Sequence, residues 1–158
     1  QNTLIFLFTL PILSGLADNV QPLGIADYLL AALFVSFVII EFIADQQQYD
    51  FQTEKHRRIK AGEHLGEYEK GFVDRGLWSV VRHPNYASEQ SIWIVFYFFS
   101  VVATGEWINW SIAGAVLLII LFKGSSDFSE DISSRKYPLY KDYQSRVPRF
   151  IPNPFKKR

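Results

Sequence analysis

The distribution of charge along the chain is the sequence feature that most restricts its fold. All 16 Lys and Arg residues lie in 46–82 or 123–158, and most of the acidic residues lie there too. Four blocks between and before these segments are nearly free of charge: 4–13, 28–44, 92–103 and 108–122. The second and fourth blocks approach the about 20 apolar residues that span a bilayer, and the third does so once 86–90 are included. The pattern therefore predicts an all-α membrane protein.

From these blocks we predict a polytopic transmembrane helical bundle that forms a single membrane domain over residues 1–158. About four spans are expected, at 1–14, 27–45, 86–104 and 107–123. The loop 46–85 and the tail 124–158 carry 15 of the 16 basic residues, so the positive-inside rule places both in the cytosol or the mitochondrial matrix. The endoplasmic reticulum, the mitochondrial inner membrane and the bacterial inner membrane all fit this multi-pass pattern.

The ends and the composition of the chain restrict its context further. The sequence begins with Gln1, so we expect it to be the C-terminal part of a longer protein. The net charge is zero, and no basic face lacks carboxylates, so nucleic acid is not an expected partner. The absence of cysteine rules out disulfides and thiolate ligands, and we expect no metal site.

A cationic cluster lies at the start of the third span. Pro84 has a fixed φ and no N–H, so it suits the first turn of a helix. The free N–H groups and the positive dipole end of that helix would favour an anion beside Arg82 and His83. The alternative, that Arg82 and His83 only anchor the helix at the lipid headgroups, stays open.

Carboxylates lie near the inner end of the second span. That span continues without a helix breaker to about residue 59, so Glu41, Asp45 and Gln48 share a face. A carboxylate within an apolar segment is costly unless it is paired or wetted, which makes Glu41 and Asp45 functional candidates. Solvation at the headgroup level is the alternative for both.

The tail contains a second aromatic and basic cluster. Tyr140, Tyr143 and Arg146 follow one another at intervals of three, so one helical face is expected to present two phenols and a guanidinium. Such a face can stack on a purine and bind phosphate. Docking of an amphipathic tail on the membrane surface is the alternative.

In this order, the motifs resemble the C-terminal part of the steroid 5-alpha-reductase-like superfamily. The similarity covers about residues 44–154 and is greatest to a broad branch of membrane proteins, and smaller to the sterol reductases. It rests on Asp45-x-Gln47-x-x-x-Phe51, Gly76-Leu77-Trp78, Arg82-His83-Pro84-Asn85-Tyr86, Glu89, Glu130, Lys136-Tyr137-Pro138, Tyr140, Tyr143 and 147–152.

The resemblance implies an NADPH-dependent oxidoreductase that acts on CH–CH groups, reducing a conjugated double bond of a lipid or steroid-like substrate. Membrane lipids and a hydrophobic small molecule are then the expected partners. Catalytic residues stay unknown, with Glu41 and Asp45 as the candidates. The residues that would contact the cofactor are Asp45, Gln47, Arg82, His83, Asn85, Tyr86, Glu89, Glu130, Tyr137, Tyr140, Tyr143 and Arg146.

Two other functions remain open. The isoprenylcysteine carboxyl and phospholipid methyltransferases are similar at Arg-His-Pro-x-Tyr, and they bind S-adenosylmethionine, whose carboxylate also suits a helix N-terminus. In addition, Gln52 and Ser88 depart from the residues that the superfamily usually carries there. These departures leave open a non-catalytic structural subunit of a membrane complex that has no cofactor.

Overall fold

The computed structural model describes residues 2–16 and 21–153, apart from the side chains of Asn2 and Leu4. The described residues form five α-helices and contain no β-strand. The helices are α1 (Asn2–Ser14), α2 (Ile25–Ala61), α3 (Pro84–Thr104), α4 (Ile112–Lys136) and α5 (Tyr140–Arg146). Two short 3₁₀ helices, Gly66–Tyr68 and Gly76–Ser79, lie between α2 and α3. The prediction of an all-α chain is confirmed for this part of it.

Each predicted span overlaps a helix, but the fourth helix begins later than the predicted span. The fourth span was predicted from residue 107, but α4 begins at Ile112. Residues before it turn because Asn109 Oδ1 accepts a hydrogen bond from the backbone N–H of Ser111 at 3.1 Å, a local bond that competes with the helix. Residue 1 of the first predicted span and 154–158 of the predicted tail lie outside the described residues.

Among the described residues, two helices are long and apolar enough to cross a membrane, α2 with 37 residues and α4 with 25. In the most apolar stretch of α2, no residue is buried within the protein. Exposed leucine, valine and phenylalanine side chains such as Leu33, Val38 and Phe42 are stable in lipid but costly in water. This pattern supports membrane association. The arrangement with four spans stays a prediction.

The chain divides into two compact units. The apolar unit contains Gln1–Ile39 and Ser88–Gly124, and the charged unit contains Ile40–Ala87 and Ser125–Arg158. In the apolar unit, α1 packs so closely on α4 that a Cβ at Gly114 would overlap the backbone carbonyl of Leu7. The rings of Phe8 on α1 and Trp93 on α3 also meet, with centroids 5.1 Å apart.

The charged unit has two aromatic clusters. In one, Phe51 of α2 packs against Tyr68, Val73 and Trp78. In the other, Phe72 packs against Tyr140 and Tyr143 of α5 and against Val147 and Tyr137. Both clusters use residues 65–78, so this segment lies between α2 and the tail. The charged segment between α2 and α3 is therefore folded around aromatic side chains.

Candidate functional site

A cavity of about 190 Å³ lies within the charged unit. Its walls come from α2, the segment 72–78, the start of α3, the end of α4, and α5. They combine aromatic rings with polar groups and one guanidinium: Gln48, Phe72, Val73, Trp78, Arg82, His83, Asn85, Tyr86, Ser129, Ser133, Tyr140 and Tyr143. The cavity thus brings together three regions that the sequence nominated separately.

Arg82 is bound by the protein itself at the edge of this cavity. Its Nε donates to Glu130 Oε1 at 2.7 Å and its Nη2 donates to Oε2 at 3.1 Å. Its Nη1 donates to the carbonyls of Gln144, at 3.0 Å, and Val147. Four of the five guanidinium N–H groups therefore have partners. The contact of Arg82 with a cofactor phosphate stays a prediction, and the geometry makes Arg82 a structural link between α3, α4 and the tail.

Glu130 is the centre of this network. Its carboxylate also accepts from His83 Nε2 at 2.9 Å, Gln144 Nε2 at 2.9 Å and Arg149 Nη2 at 3.0 Å. Burial by itself raises the pKa of the Glu130 carboxyl, but the hydrogen bonds from His83, Arg82 and Gln144 lower that pKa by more. The net pKa lies well below its ordinary value, so Glu130 is an anion at neutral pH.

The start of α3 differs from the predicted anion site. Pro84 is the first residue of α3, as expected, but nearby N–H groups already have partners. The N–H of Tyr86 donates to Asn85 Oδ1 at 2.9 Å, and the N–H of Ala87 donates to the His83 carbonyl at 3.0 Å. The prediction that these N–H groups are unpaired is therefore wrong, because the side chain of Asn85 and the preceding turn satisfy them.

Asp45 and Gln47 hold the loop next to the cavity. Asp45 Oδ1 accepts from Asn85 Nδ2 at 2.9 Å, which links α2 to the start of α3. Gln47 Oε1 accepts from the backbone N–H of Leu77 at 3.0 Å, and a Cβ at Gly76 would overlap the Gln47 side chain. Asp45 thus bonds to a cavity-lining residue, although neither it nor Gln47 lines the cavity.

Gln48 provides the least satisfied polar atom of the cavity wall. Its Oε1 is buried and has no hydrogen-bond partner in the described part of the chain. An acceptor left unpaired in this way costs about 1–3 kcal/mol. Sequence reasoning placed Gln48 on the face of Glu41 and Asp45 but did not nominate it. The helical spacing of three from Asp45 was the signal that could have done so.

Tyr140 and Tyr143 do not share a face with Arg146, contrary to the prediction. Both phenols are buried, whereas Arg146 is exposed and pairs with Asp142. Each step of three residues rotates the direction of a side chain by about 60° on an α-helix, so two steps carry Arg146 off the buried face. Burial raises the pKa of Tyr140 to about 12 and also raises the pKa of Tyr143, so both phenols are neutral donors.

Three more nominated residues lie away from the cavity wall. Glu41 does not line the cavity. Glu89 belongs to the apolar unit, where its Oε1 accepts from Trp93 Nε1 at 2.8 Å. Tyr137 packs against Gly71, and Lys55 Nζ lies 5.5 Å from the centroid of its ring. The structure thus gives Glu89 and Tyr137 packing and hydrogen-bonding contacts, and their predicted contacts with a cofactor stay predictions.

Comparison with models of protein families shows the family of this chain. A family model described as "Protein of unknown function (DUF1295)" matches residues 1–147. The chain belongs to the DUF1295 family. This match includes the whole cavity wall, from Gln48 to Tyr143.

A curated relative of this DUF1295 chain comes from Schizosaccharomyces pombe, where it is named "Uncharacterized protein C594.04c". The two are 37% identical over 144 residues, which cover 87% of this chain and 42% of the relative. The DUF1295 chain thus spans less than half the length of that relative. No solved structure matches it.

Proposed function

We propose that this DUF1295 chain is the cofactor-binding part of an NADPH-dependent membrane reductase that acts on a conjugated double bond of an apolar substrate. The observation that carries the proposal is the unpaired, buried Oε1 of Gln48 in the wall of an aromatic cavity. The carboxamide of a nicotinamide ring provides the N–H donor that this oxygen lacks. The similarity of the sequence motifs to the steroid 5-alpha-reductase-like superfamily supports the same assignment.

The size of the cavity restricts what can enter it. Its volume of about 190 Å³ is below the about 300–1,000 Å³ of sites that enclose a complete ligand. The residues therefore fit one heterocyclic end of a dinucleotide, between rings such as Trp78, Tyr86 and Tyr143. The other parts of NADPH would bind outside this cavity.

The proposal assigns roles to residues in and around the cavity. Gln48 would orient the carboxamide, and the aromatic rings would exclude water and hold the ring flat. Arg82, His83 and Glu130 are positioning residues, because they fix α3, α4 and the tail around the cavity. NADPH, when bound, supplies a hydride to one carbon of the double bond. A protein acid then has to supply the proton to the other carbon. Asp45 and Glu41 remain the candidate acids of this chain.

A second candidate function follows from the state of Arg82. The Arg82 guanidinium donates to Glu130, Gln144 and Val147, so it needs no cofactor phosphate to satisfy its charge. The cavity beside it would therefore be stable in a protein that binds no cofactor. This DUF1295 chain would then be a structural subunit of a membrane complex. The S-adenosylmethionine alternative lacks comparable support, since the start of α3 already has intramolecular partners.

Titration calorimetry on the full-length protein tests the proposal with NADPH and S-adenosylmethionine. Gln48→Leu removes the unpaired acceptor at similar volume, and we expect it to weaken NADPH binding by about three- to tenfold, the value of one neutral hydrogen bond. The matched control is Gln46→Leu, since Gln46 is exposed and bonds only to Asp50 among the described contacts. Its affinity should equal that of the wild type.

The two candidate functions give different results. If the wild type binds no NADPH, the reductase assignment is abandoned, and tight binding of S-adenosylmethionine would replace it with a methyltransferase. If NADPH binds equally well to the wild type and to Gln48→Leu, the role of Gln48 is wrong. A cofactor-free readout is the thermal midpoint, which Gln48→Leu should maintain or raise because an unsatisfied acceptor is removed.

A further inference from the structure

The turn between α3 and α4 exposes three large apolar side chains. Trp107 is 75% exposed, Ile108 84% and Trp110 59%. Apolar surface in contact with water costs about 25 cal/mol per Å², and contiguous exposed patches usually mark an interaction site. This turn, residues 105–110, therefore needs a partner that accepts apolar groups.

A buried polar network fixes the shape of the turn. Tyr97 Oη donates to the carbonyl of Trp107 at 2.8 Å. Asn109 Nδ2 donates to Ser100 Oγ at 3.1 Å, and Ser111 Oγ donates to Asn109 Oδ1 at 2.5 Å. The side chain of Asn109 faces inward while those of its two neighbours face outward. The exposure of the indole rings is thus imposed by the fold.

The chemistry of the turn indicates the boundary of a lipid bilayer. Glu106 is exposed beside Trp107, and a carboxylate is excluded from the hydrocarbon core by its cost there. Tryptophan combines an apolar ring with an N–H donor, which is why it collects at membrane–water interfaces. The turn leads directly into α4, a helix that is long and apolar enough to cross a membrane.

We propose that the turn 105–110 is an interfacial anchor. Trp107, Ile108 and Trp110 insert at the level where acyl chains meet headgroups, and Glu106 stays among the headgroups. The anchor fixes the depth of α3 and α4 in the bilayer. It does not depend on the cofactor assignment, since every residue in it belongs to the apolar unit.

Fluorescence quenching in phosphatidylcholine vesicles tests the anchor on the full chain. The lipids carry bromine either near the headgroup or near the chain end. The chain has four tryptophans, of which Trp78 is buried in the charged unit and serves as an internal reference. We expect headgroup-proximal bromine to quench the wild type more than chain-end bromine. The variant W107F/W110F should lose most of this difference.

A second measurement uses the wild-type sequence, so it can be made even if W107F/W110F fails to fold. Fluorotryptophan labelling gives four fluorine resonances, and a spin label at the headgroup level should broaden two of them. The anchor is overturned if the headgroup spin label broadens none of the four resonances. It is also overturned if only a water-soluble relaxation agent broadens the resonances of Trp107 and Trp110. Changes that depend on the protein-to-lipid ratio would also overturn it, because they would show that a second copy covers the turn.

Discussion

Arg82 and Glu130 form a two-point ion pair in which Nε donates to Oε1 over 2.7 Å and Nη2 donates to Oε2 over 3.1 Å. The exposed fractions of the two side chains are 10% and 3%. Charges removed from water to this extent are stable only while each retains its partner. Loss of either partner should therefore destabilise the charged unit.

We expect Glu130→Gln to destabilise the protein by about 3–5 kcal/mol, because it leaves the buried charge of Arg82 without a counterion. Denaturant unfolding in detergent measures the change. The matched control is Asp131→Asn at the next position, where the ion pair with Arg135 is exposed to solvent. Such pairs contribute about 0–1 kcal/mol. Equal effects of the two substitutions would contradict the role given to Glu130.

The same carboxylate predicts a loss of stability in acid. Its pKa is lower in the folded protein than the ordinary value of 4.5, so its contribution is complete above that pH. The contribution is lost as the pH falls below about 4.5 toward the folded pKa. Thermal midpoints measured across this range should therefore decrease with pH, and Glu130→Gln should flatten the dependence. A variant with an unchanged slope would show that other carboxyl groups control acid unfolding.

Gly71 should tolerate no side chain. Its φ is +87°, and a Cβ there would overlap the ring of Tyr137. Gly71→Ala then adds a steric cost of about 1–3 kcal/mol to the backbone cost of about 1–2 kcal/mol. Gly62 has a φ of +66° and open space around the Cβ position, so Gly62→Ala should show the backbone cost alone. Comparable unfolding free energies for both variants would argue against the contact with Tyr137.

Gly114 permits the close approach of α1 and α4. We expect Gly114→Ala to cost about 1–3 kcal/mol, because the new methyl group meets the backbone of Leu7 and neither side can yield easily. Gly124 lies further along α4 in open space. Gly124→Ala should therefore stabilise the helix by about 0.5–1 kcal/mol. Differential scanning fluorimetry in detergent would separate the two, and destabilisation by both would refute the packing.

The sequence predicts the helices well because hydrophobic blocks and breakers act locally. The end of α2 at Ala61 follows from Gly62, and the start of α3 follows from Pro84. The start of α4 was missed because Ile108 and Trp110 have the composition of a span, while the bonds of Asn109 turn the chain. Composition records how apolar a residue is, but not which local hydrogen bond competes with the helix.

Half of the residues nominated as cofactor contacts line the cavity, and their role in binding a cofactor stays a prediction. The resemblance named Asp45 and Asn85 together as cofactor contacts, and the structure joins them by a hydrogen bond. The sequence could not show that Glu130 binds the guanidinium of Arg82. These residues are 48 positions apart, and only the tertiary fold brings them together. Arg149 was missed for the same reason. Gln48 stands out because its buried Oε1 has no hydrogen-bond donor near it in the described part of the chain. No sequence pattern predicts such a missing partner.

The backbone pairing of 82–83 with 148–149 has a consequence for local opening. The N–H of Arg82 donates to the carbonyl of Pro148 at 2.8 Å, and the N–H of His83 donates to that of Arg149 at 3.1 Å. These two amides are protected from solvent exchange only while the tail is docked. Their deuterium uptake should therefore proceed together, at one rate, and report each transient release of 148–149 from the residues that precede α3.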